Sequence, residues 1–517
     1  MEESEPLLLP APSDNDSSSN YAPISYTHSP RPLRDLPFLV LFLLLSLSTF
    51  ALGIFSIVRH NPNHSSSSFT YDFNSSSCIS THLSTNYSFL KSANLNKNLI
   101  WTLVTTALLS VPIAFLLLSL LRRFAAQLVY ATLPFLVLIP LSLDAYWFVA
   151  CTISPSCSRS FPLPYRVLLL VFLLLLLALL LWILLANWHR VRLSVHILRV
   201  SAAALADNLP LLAVLPALAL GLLLYLGPVI VFLVYARLNG RVVPKHKGSD
   251  GEYYCEWKEE RWVPAYYALA VIVMIWSSAA MVEAQVYVIS GTVAQWYFAM
   301  EGTKPSRSVR TSLRNAFGPS FGTVCFSGML VGAIRVVRAI VDSTKREESA
   351  GGFVNLILRC CANFFLSAFD FVNKFTINFA AITGEAYCSS AKMTYELLKR
   401  NLLSAVFVET VSTRILVGII FVISALYAVA DCAILKAVSA LGSEIYLVAA
   451  IAWLLLFVVL AYFVHVLDNV IDTIYVCYAI DRDKGEVCKQ EVHEIYSMLP
   501  ISRNHSPPLS DRTPVIV

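Results

Sequence analysis

The chain has 517 residues, of which 57% are hydrophobic and only 14% charged, too little charge to clothe a soluble protein of this size. A single buried core stops growing near roughly 250 to 300 residues, so the excess apolar mass faces lipid. The net charge of +5 is spread over many loops and makes no phosphate-binding stripe, which argues against nucleic acid as a partner.

Residues 1–36 are polar and rich in Ser, Pro and Asn. They read as a disordered cytosolic tail, without the basic region, apolar stretch and small-residue cleavage site of a signal peptide. Glu3 with Leu7 and Leu8 fits the acidic dileucine pattern that trafficking adaptors bind, and points to a vacuolar or endolysosomal membrane, with the plasma membrane as the alternative. Ten stretches then reach the ~20 apolar residues that a helix needs to cross ~30 Å of hydrocarbon. They are 37–58, 99–121, 125–150, 165–186, 209–236, 263–289, 317–341, 353–387, 402–430 and 445–466. The expected architecture is therefore an all-α polytopic membrane protein of about ten transmembrane helices. The eighth stretch is overlong and interrupted by polar residues, as a broken helix or two half-spans would be.

With both termini placed in the cytosol, the inner segments hold 19 Lys and Arg against 13 outside, the bias that cytosolic loops carry. The loop 59–98 agrees, because its sequons at Asn63, Asn74 and Asn86 are useful only on the outer or lumenal side. The layout expected is a tail at 1–36, five helices over 37–236, an outer loop at 237–262, five more helices over 263–481 and a cytosolic tail at 482–517. The eleven cysteines are neither a dense disulfide scaffold nor a CxxC set for zinc. Cys78, Cys157 and Cys255 fall in three outer loops, where the alternatives are one disulfide among them or free thiols throughout. The segment 187–199, basic with interleaved apolar residues, reads as a helix on the cytosolic surface with His189 and His196 outward. Gly318 with Gly322, and Gly328 with Gly332, are small-xxx-small pairs that permit close helix contact.

Ionisable residues inside hydrocarbon cost a few kcal/mol each, so they face the bundle interior and mark a pathway or an ion pair. The first five spans hold Asp144 as the one acid at depth. The second half holds Glu283, Arg335, Arg338, Arg359, Asp370, Lys374, Glu385, Glu409 and Arg414, then Asp468 and Asp472. Asp370 with Asn373, and Glu385 after Gly384, interrupt the span that looks broken, and interrupted helices line cavities. Gln295, Trp296 and Tyr297 end the sixth span. Trp296 and Tyr297 serve either as interface-belt aromatics or, with Trp276 or Tyr287, as π-faces for a cation. No GxxxxGK[ST] loop, GxSxG elbow or HExxH occurs, so no enzyme activity, cofactor or metal site is expected.

Several motifs in order carry a resemblance over 261–499. They are SGTVAQWYF at Ser290 to Phe298, Cys360 and Cys361, the run from Asn373 through Asn378 to GEAYCSSAK at Gly384 to Lys392, LLKRN at Leu397 to Asn401 and DTIYVCYAID at Asp472 to Asp481. This half resembles the choline transporter-like family, closest to its pH-nine-sensitive branch. The resemblance implies a ten-span transporter with cytosolic termini, similar to carriers of choline and ethanolamine. A substrate cation would then meet Glu283, Gln295, Trp296, Tyr297, Asp370, Asn373 and Glu385. The alternative is a membrane organiser that binds lipids or partner proteins through its basic loops. Sensitivity to Glu283→Gln and Glu385→Gln, against sensitivity at Arg190, Arg192, Arg307 and Arg310, separates the two.

Overall fold

A computed structural model describes Tyr26 and residues 30–61, 67–72, 77–82, 93–247, 252–299, 307–347, 353–438, 444–485 and 487–499. The dileucine residues Glu3, Leu7 and Leu8, the sequons Asn63, Asn74 and Asn86, and the side chains of Arg359 and Glu409 lie outside the described residues.

In chain order, α1 (Leu36–Val58) is followed by a hairpin of β1 (Ser67–Asp72) and β2 (Ser77–His82). Then come α2 (Ala93–Ile153), α3 (Pro155–Ser160), α4 (Leu163–Ala186), α5 (Trp188–Asp207) and α6 (Pro210–Arg237). A second hairpin, β3 (Gly240–Lys247) and β4 (Glu252–Glu259), leads into α7 (Val263–Tyr297), α8 (Ser308–Ala316), α9 (Phe321–Glu347) and α10 (Phe353–Thr383). The chain continues through α11 (Tyr387–Val438), α12 (Ile445–Lys484) and α13 (Gln490–Ser497). Eight helices among the described residues are long and apolar enough to cross a membrane. The fold is thus all-α and polytopic, with strands, among the described residues, confined to the two hairpins.

Sequence and structure agree on where the first long helical stretch divides and differ in part on the eighth. The expected spans 99–121 and 125–150 are two helices that meet in a kink at Phe124, where φ −130° and ψ 33° leave the helical region. The eighth stretch does break, at 384–386 with Gly384 at φ +74°, where Gly384 and Glu385 were expected to interrupt it, whereas α10 is continuous through Asp370 and Asn373, which were expected to interrupt it as well. Asp370, Asn373 and Lys374 are spaced three and four apart, so they share one face of an intact helix. That is why polar residues inside the run did not require a break.

The helices sort by what surrounds them. α4 leaves Leu168, Leu175, Leu179 and Trp182 uncovered, as a helix bathed in lipid does. At the other extreme, α7 and α12 form the centre: from Ala279 to Gln295 and from Val464 to Asp481 nearly every side chain is buried, with Ile474, Cys477, Tyr287 and Val293 fully enclosed. Gly328 lets α9 approach α7, since a Cβ there would stand 2.6 Å from the backbone nitrogen of Ala280. α5 is a helix with one exposed basic face, as expected of 187–199. Its apolar side, including Val191, Leu198 and Leu205, is buried against α2, α11 and α12, while His189, Arg192, His196 and Arg199 remain exposed.

The two hairpins are each antiparallel and touch each other. Cys78 on β2 is bridged to Cys255 on β4, a pairing within the expected trio. Cys157 instead joins Cys151, six residues earlier at the end of α2.

Candidate functional site

Charged residues of the second half converge on a cavity of about 650 Å3 lined by α9, α10, α11 and α12, including Arg338, Asp370, Phe371, Lys374, Arg414 and Asp468. Its volume lies inside the range of small-molecule sites, roughly 300 to 1,000 Å3. The wall is held by ion pairs between neighbouring helices. Arg338 Nη2 on α9 stands 2.8 Å from Asp370 Oδ2 on α10. Lys374 Nζ stands 2.9 Å from Asp468 Oδ2 and also pairs with Asp472. Thr413 donates to Asp468. The helical spacing of Asp468 and Asp472, four residues, puts both acids on the face of α12 that meets α10.

Behind Asn373, one helical turn along from Asp370, lies a second polar group. Glu283 of α7 is buried, 6% exposed. Its Oε2 accepts from Ser327 Oγ at 2.8 Å and from Asn373 Nδ2 at 3.3 Å. Asn373 Oδ1 in turn accepts from the Tyr387 hydroxyl at 2.5 Å, and the Tyr387 ring packs 4.6 Å from Phe326. Among the described residues Glu283 has hydrogen-bond partners that are all neutral and makes no ion pair. Arg335 and Asp370 are near enough only to act on it through space. Isolated carboxylates in apolar surroundings are costly, so this one differs in kind from the paired acids of the wall.

The remaining expected site residues are elsewhere. Trp296 and Tyr297 lie thirteen and fourteen residues beyond Glu283 on α7, about 20 Å along the axis, and each has its own partners. Tyr297 donates to Asp481 at 2.9 Å. Trp296 donates to Asp207 at 3.2 Å, and its ring face is covered by Lys489 Nζ at 4.6 Å. Gln295 turns inward to Gly291, Ser308 and Ser312, bracing α8 against α7. Glu385 sits in the break after α10 and pairs with Arg34 at 3.3 Å, both side chains more than a third exposed. Trp276 and Tyr287 are also engaged, with the Cys325 carbonyl and with Ser320 and Arg31. The structure therefore brings Glu283, Asp370 and Asn373 together and separates them from Gln295, Trp296, Tyr297 and Glu385.

Sequence reading did not single out Ser327, Tyr387, Thr413 or Lys489. Tyr387 had a signal, since it follows the Gly384 break, whereas the others depend on contacts across the fold. Asp144 is buried in α2 with neither carboxylate oxygen hydrogen-bonded among the described residues. A smaller cavity of about 220 Å3 lined by Phe42, Tyr225, Phe317 and Phe321 is apolar and holds no acid. Beneath α12, burial pushes the Tyr496 phenol of α13 up, and the Asp472 carboxylate adds to it.

Apolar helices with uncovered flanks, packed beside an open cavity lined by charged residues, define a multi-pass integral membrane protein. The family described as plasma-membrane choline transporter matches residues 171–483, more than half of the sequence, and the chain belongs to it. A CTL-like protein of Dictyostelium discoideum is 25% identical over 231 residues, 43% of this chain and 42% of its own length. Protein PNS1 of Gibberella zeae is 26% identical over 244 residues, 44% of each chain. Choline transporter-like protein 3 of Homo sapiens is 23% identical over 310 residues, 57% of this chain and 46% of its own. The chain thus spans less than half the length of these curated relatives.

Proposed function

We propose that the protein carries a small organic cation, such as choline or ethanolamine, across its membrane by alternating access, without covalent chemistry. The observation behind this reading is Glu283, a buried carboxylate satisfied only by neutral groups beside a polar cavity. A quaternary or primary ammonium supplies the direct ion-pair partner that Glu283 lacks among the described residues. The wall acids are committed to Arg338 and Lys374, so a passing cation would exchange with Arg338 at Asp370 before reaching Glu283. Phe371 on the wall and Tyr387 beside Asn373 offer the nearby π-faces, a contact worth about 2 kcal/mol when desolvated. This role passes to them because Trp296 is already covered by Lys489. Glu283 can be neutralised by a solute cation or by a proton but not by both, and this makes proton exchange the coupling we favour.

The relatives named for choline transport support the solute class. The proposed orientation keeps both termini in the cytosol, with glycans on the loop at 59–98 and the layout of five helices over 37–236 and five over 263–481. The membrane proposed is vacuolar or endolysosomal, reached through an adaptor that reads Glu3, Leu7 and Leu8, with the plasma membrane as the alternative. A second reading, an organiser that binds lipid headgroups, is favoured by one observation, the exposed basic face of α5.

The test is uptake of radiolabelled choline into vesicles containing the purified protein. Wild-type uptake above that of empty vesicles, reduced at least tenfold in Glu283→Gln, is expected. Uptake equal to empty vesicles for both choline and ethanolamine overturns the carrier reading. Loss of vesicle binding in Arg192→Ala/Arg199→Ala with no uptake by the wild type would instead favour the organiser.

A further inference from the structure

We infer that the segment ahead of α1, Tyr26 with residues 30–35, is a strap that closes the bundle at the helix break and controls access to Glu283 from that face. The inference rests on the carrier reading of the Glu283 group. In the proposed orientation the face is cytosolic.

The strap is fastened at three residues. Arg31 is buried, 8% exposed. It donates to the Tyr287 hydroxyl at 2.6 Å and to the Ile382 carbonyl at 3.3 Å, with its guanidinium 5.3 Å over the Tyr26 ring. Asp35 Oδ2 accepts from Thr323 Oγ1 at 2.7 Å and from the Tyr387 backbone nitrogen at 2.8 Å. Arg34 donates its backbone N–H to the Pro319 carbonyl at 3.1 Å and pairs with Glu385 through its side chain. One short segment therefore joins α7, the approach to α9, the last turn of α10 and the first residue of α11.

Helix ends leave backbone N–H and C=O groups without intrahelical partners. At the break, the last turn of α10 presents the Ile382 carbonyl and α11 opens with the Tyr387 N–H. The strap satisfies one group on each side, from more than 350 residues away in sequence. The backbone is built around it. A Cβ at Gly384 would stand 3.0 Å from the Arg31 side chain, and one at Gly322 would collide with the carbonyls of Arg34 and Asp35. Asp35 itself holds φ 51°, a left-handed conformation that a non-glycine residue keeps only when its surroundings over-determine it.

One feature makes this a latch. The Tyr387 that Asp35 caps also reaches, through its hydroxyl, to Asn373 and so to Glu283. Displacing the strap frees the first turn of α11 and with it one support of the carboxylate.

The experiment uses the full chain with its free cysteines replaced and Ser327→Cys as reporter, exposed from the strap's face to a membrane-impermeant quaternary-ammonium thiosulfonate. Arg31→Ala and Asp35→Asn should each raise the labelling rate at least tenfold. An unchanged rate in both, at normal abundance, overturns the strap. Because either change could disturb folding, Arg34→Cys/Glu385→Cys provides a second route. Oxidising that pair should slow labelling at least tenfold relative to the same protein reduced, and equal rates would refute closure. No solute is involved, so a strap-sensitive label in a protein without choline uptake removes the carrier reading alone, and uptake with strap-insensitive labelling removes the strap alone.

Discussion

Lys374 is the residue whose removal the structure makes most consequential. Its side chain, 21% exposed, puts the ammonium between Asp468, whose side chain is 11% exposed, and Asp472, whose side chain is fully buried. Lys374→Met keeps most of the apolar stem and deletes the charge. Two carboxylates four residues apart on α12 would then face each other without the Lys374 ammonium between them. Removing one partner of a buried pair costs about 3 to 5 kcal/mol, whereas replacing all partners by neutral groups is often close to neutral. The single variant should therefore unfold at clearly lower temperature in detergent and accumulate poorly in cells. Lys374→Met/Asp468→Asn/Asp472→Asn should recover most of the loss. Thermal unfolding followed by size-exclusion fluorescence reads both. A single variant as stable as the wild type, or a triple variant no better than the single, would refute the pairing as the support of the α10–α12 contact.

Other outcomes follow from the same geometry. Gly328→Val should lower thermal stability by about 1 to 3 kcal/mol as an overpacked contact, since even a Cβ meets the Ala280 backbone; Gly332→Ala, where the nearest atom is 3.5 Å away, should change little in the same assay. Denatured protein treated with a maleimide polymer should gain seven adducts without reductant and eleven with it, as two disulfides and seven free thiols among eleven cysteines require. Glu283→Gln should leave abundance unchanged while abolishing uptake, because an amide can keep its contacts with Ser327 and Asn373. Endoglycosidase should sharpen the band of protein expressed in eukaryotic cells only while Asn63, Asn74 and Asn86 are intact, which tests the proposed orientation.

Lipid forces continuity on a spanning segment, and this is why α1, α4, α6 and α12 were legible as apolar runs. Glu283 was legible for the converse reason, as an acid that the run could have done without. An interruption was legible at Gly384 and Glu385, where the helix breaks, and a second was read at Asp370 and Asn373, where it does not, because polarity and interruption look alike in one dimension. Asp370, Asn373 and Lys374 are polar along a single stripe that faces other helices, whereas the backbone turns at Gly384, where a positive φ is needed. Trp296 illustrates a second limit. An aromatic at a helix end suits a belt, a cation site or a structural contact equally well, and only the arrival of Lys489, distant in sequence, decides. The partners of Arg31 and Asp35 left no mark in the sequence, since hydrogen bonds across 350 residues follow from the fold and have no spacing rule.

The Cys78–Cys255 bridge ties residues 177 apart and so turns the stretch containing α2 through α6 into a covalent ring. A protease that cuts this ring once cannot release a fragment. Both pieces migrate as one band until a thiol reductant parts them, so the intactness of this half of the protein has to be judged on reducing gels.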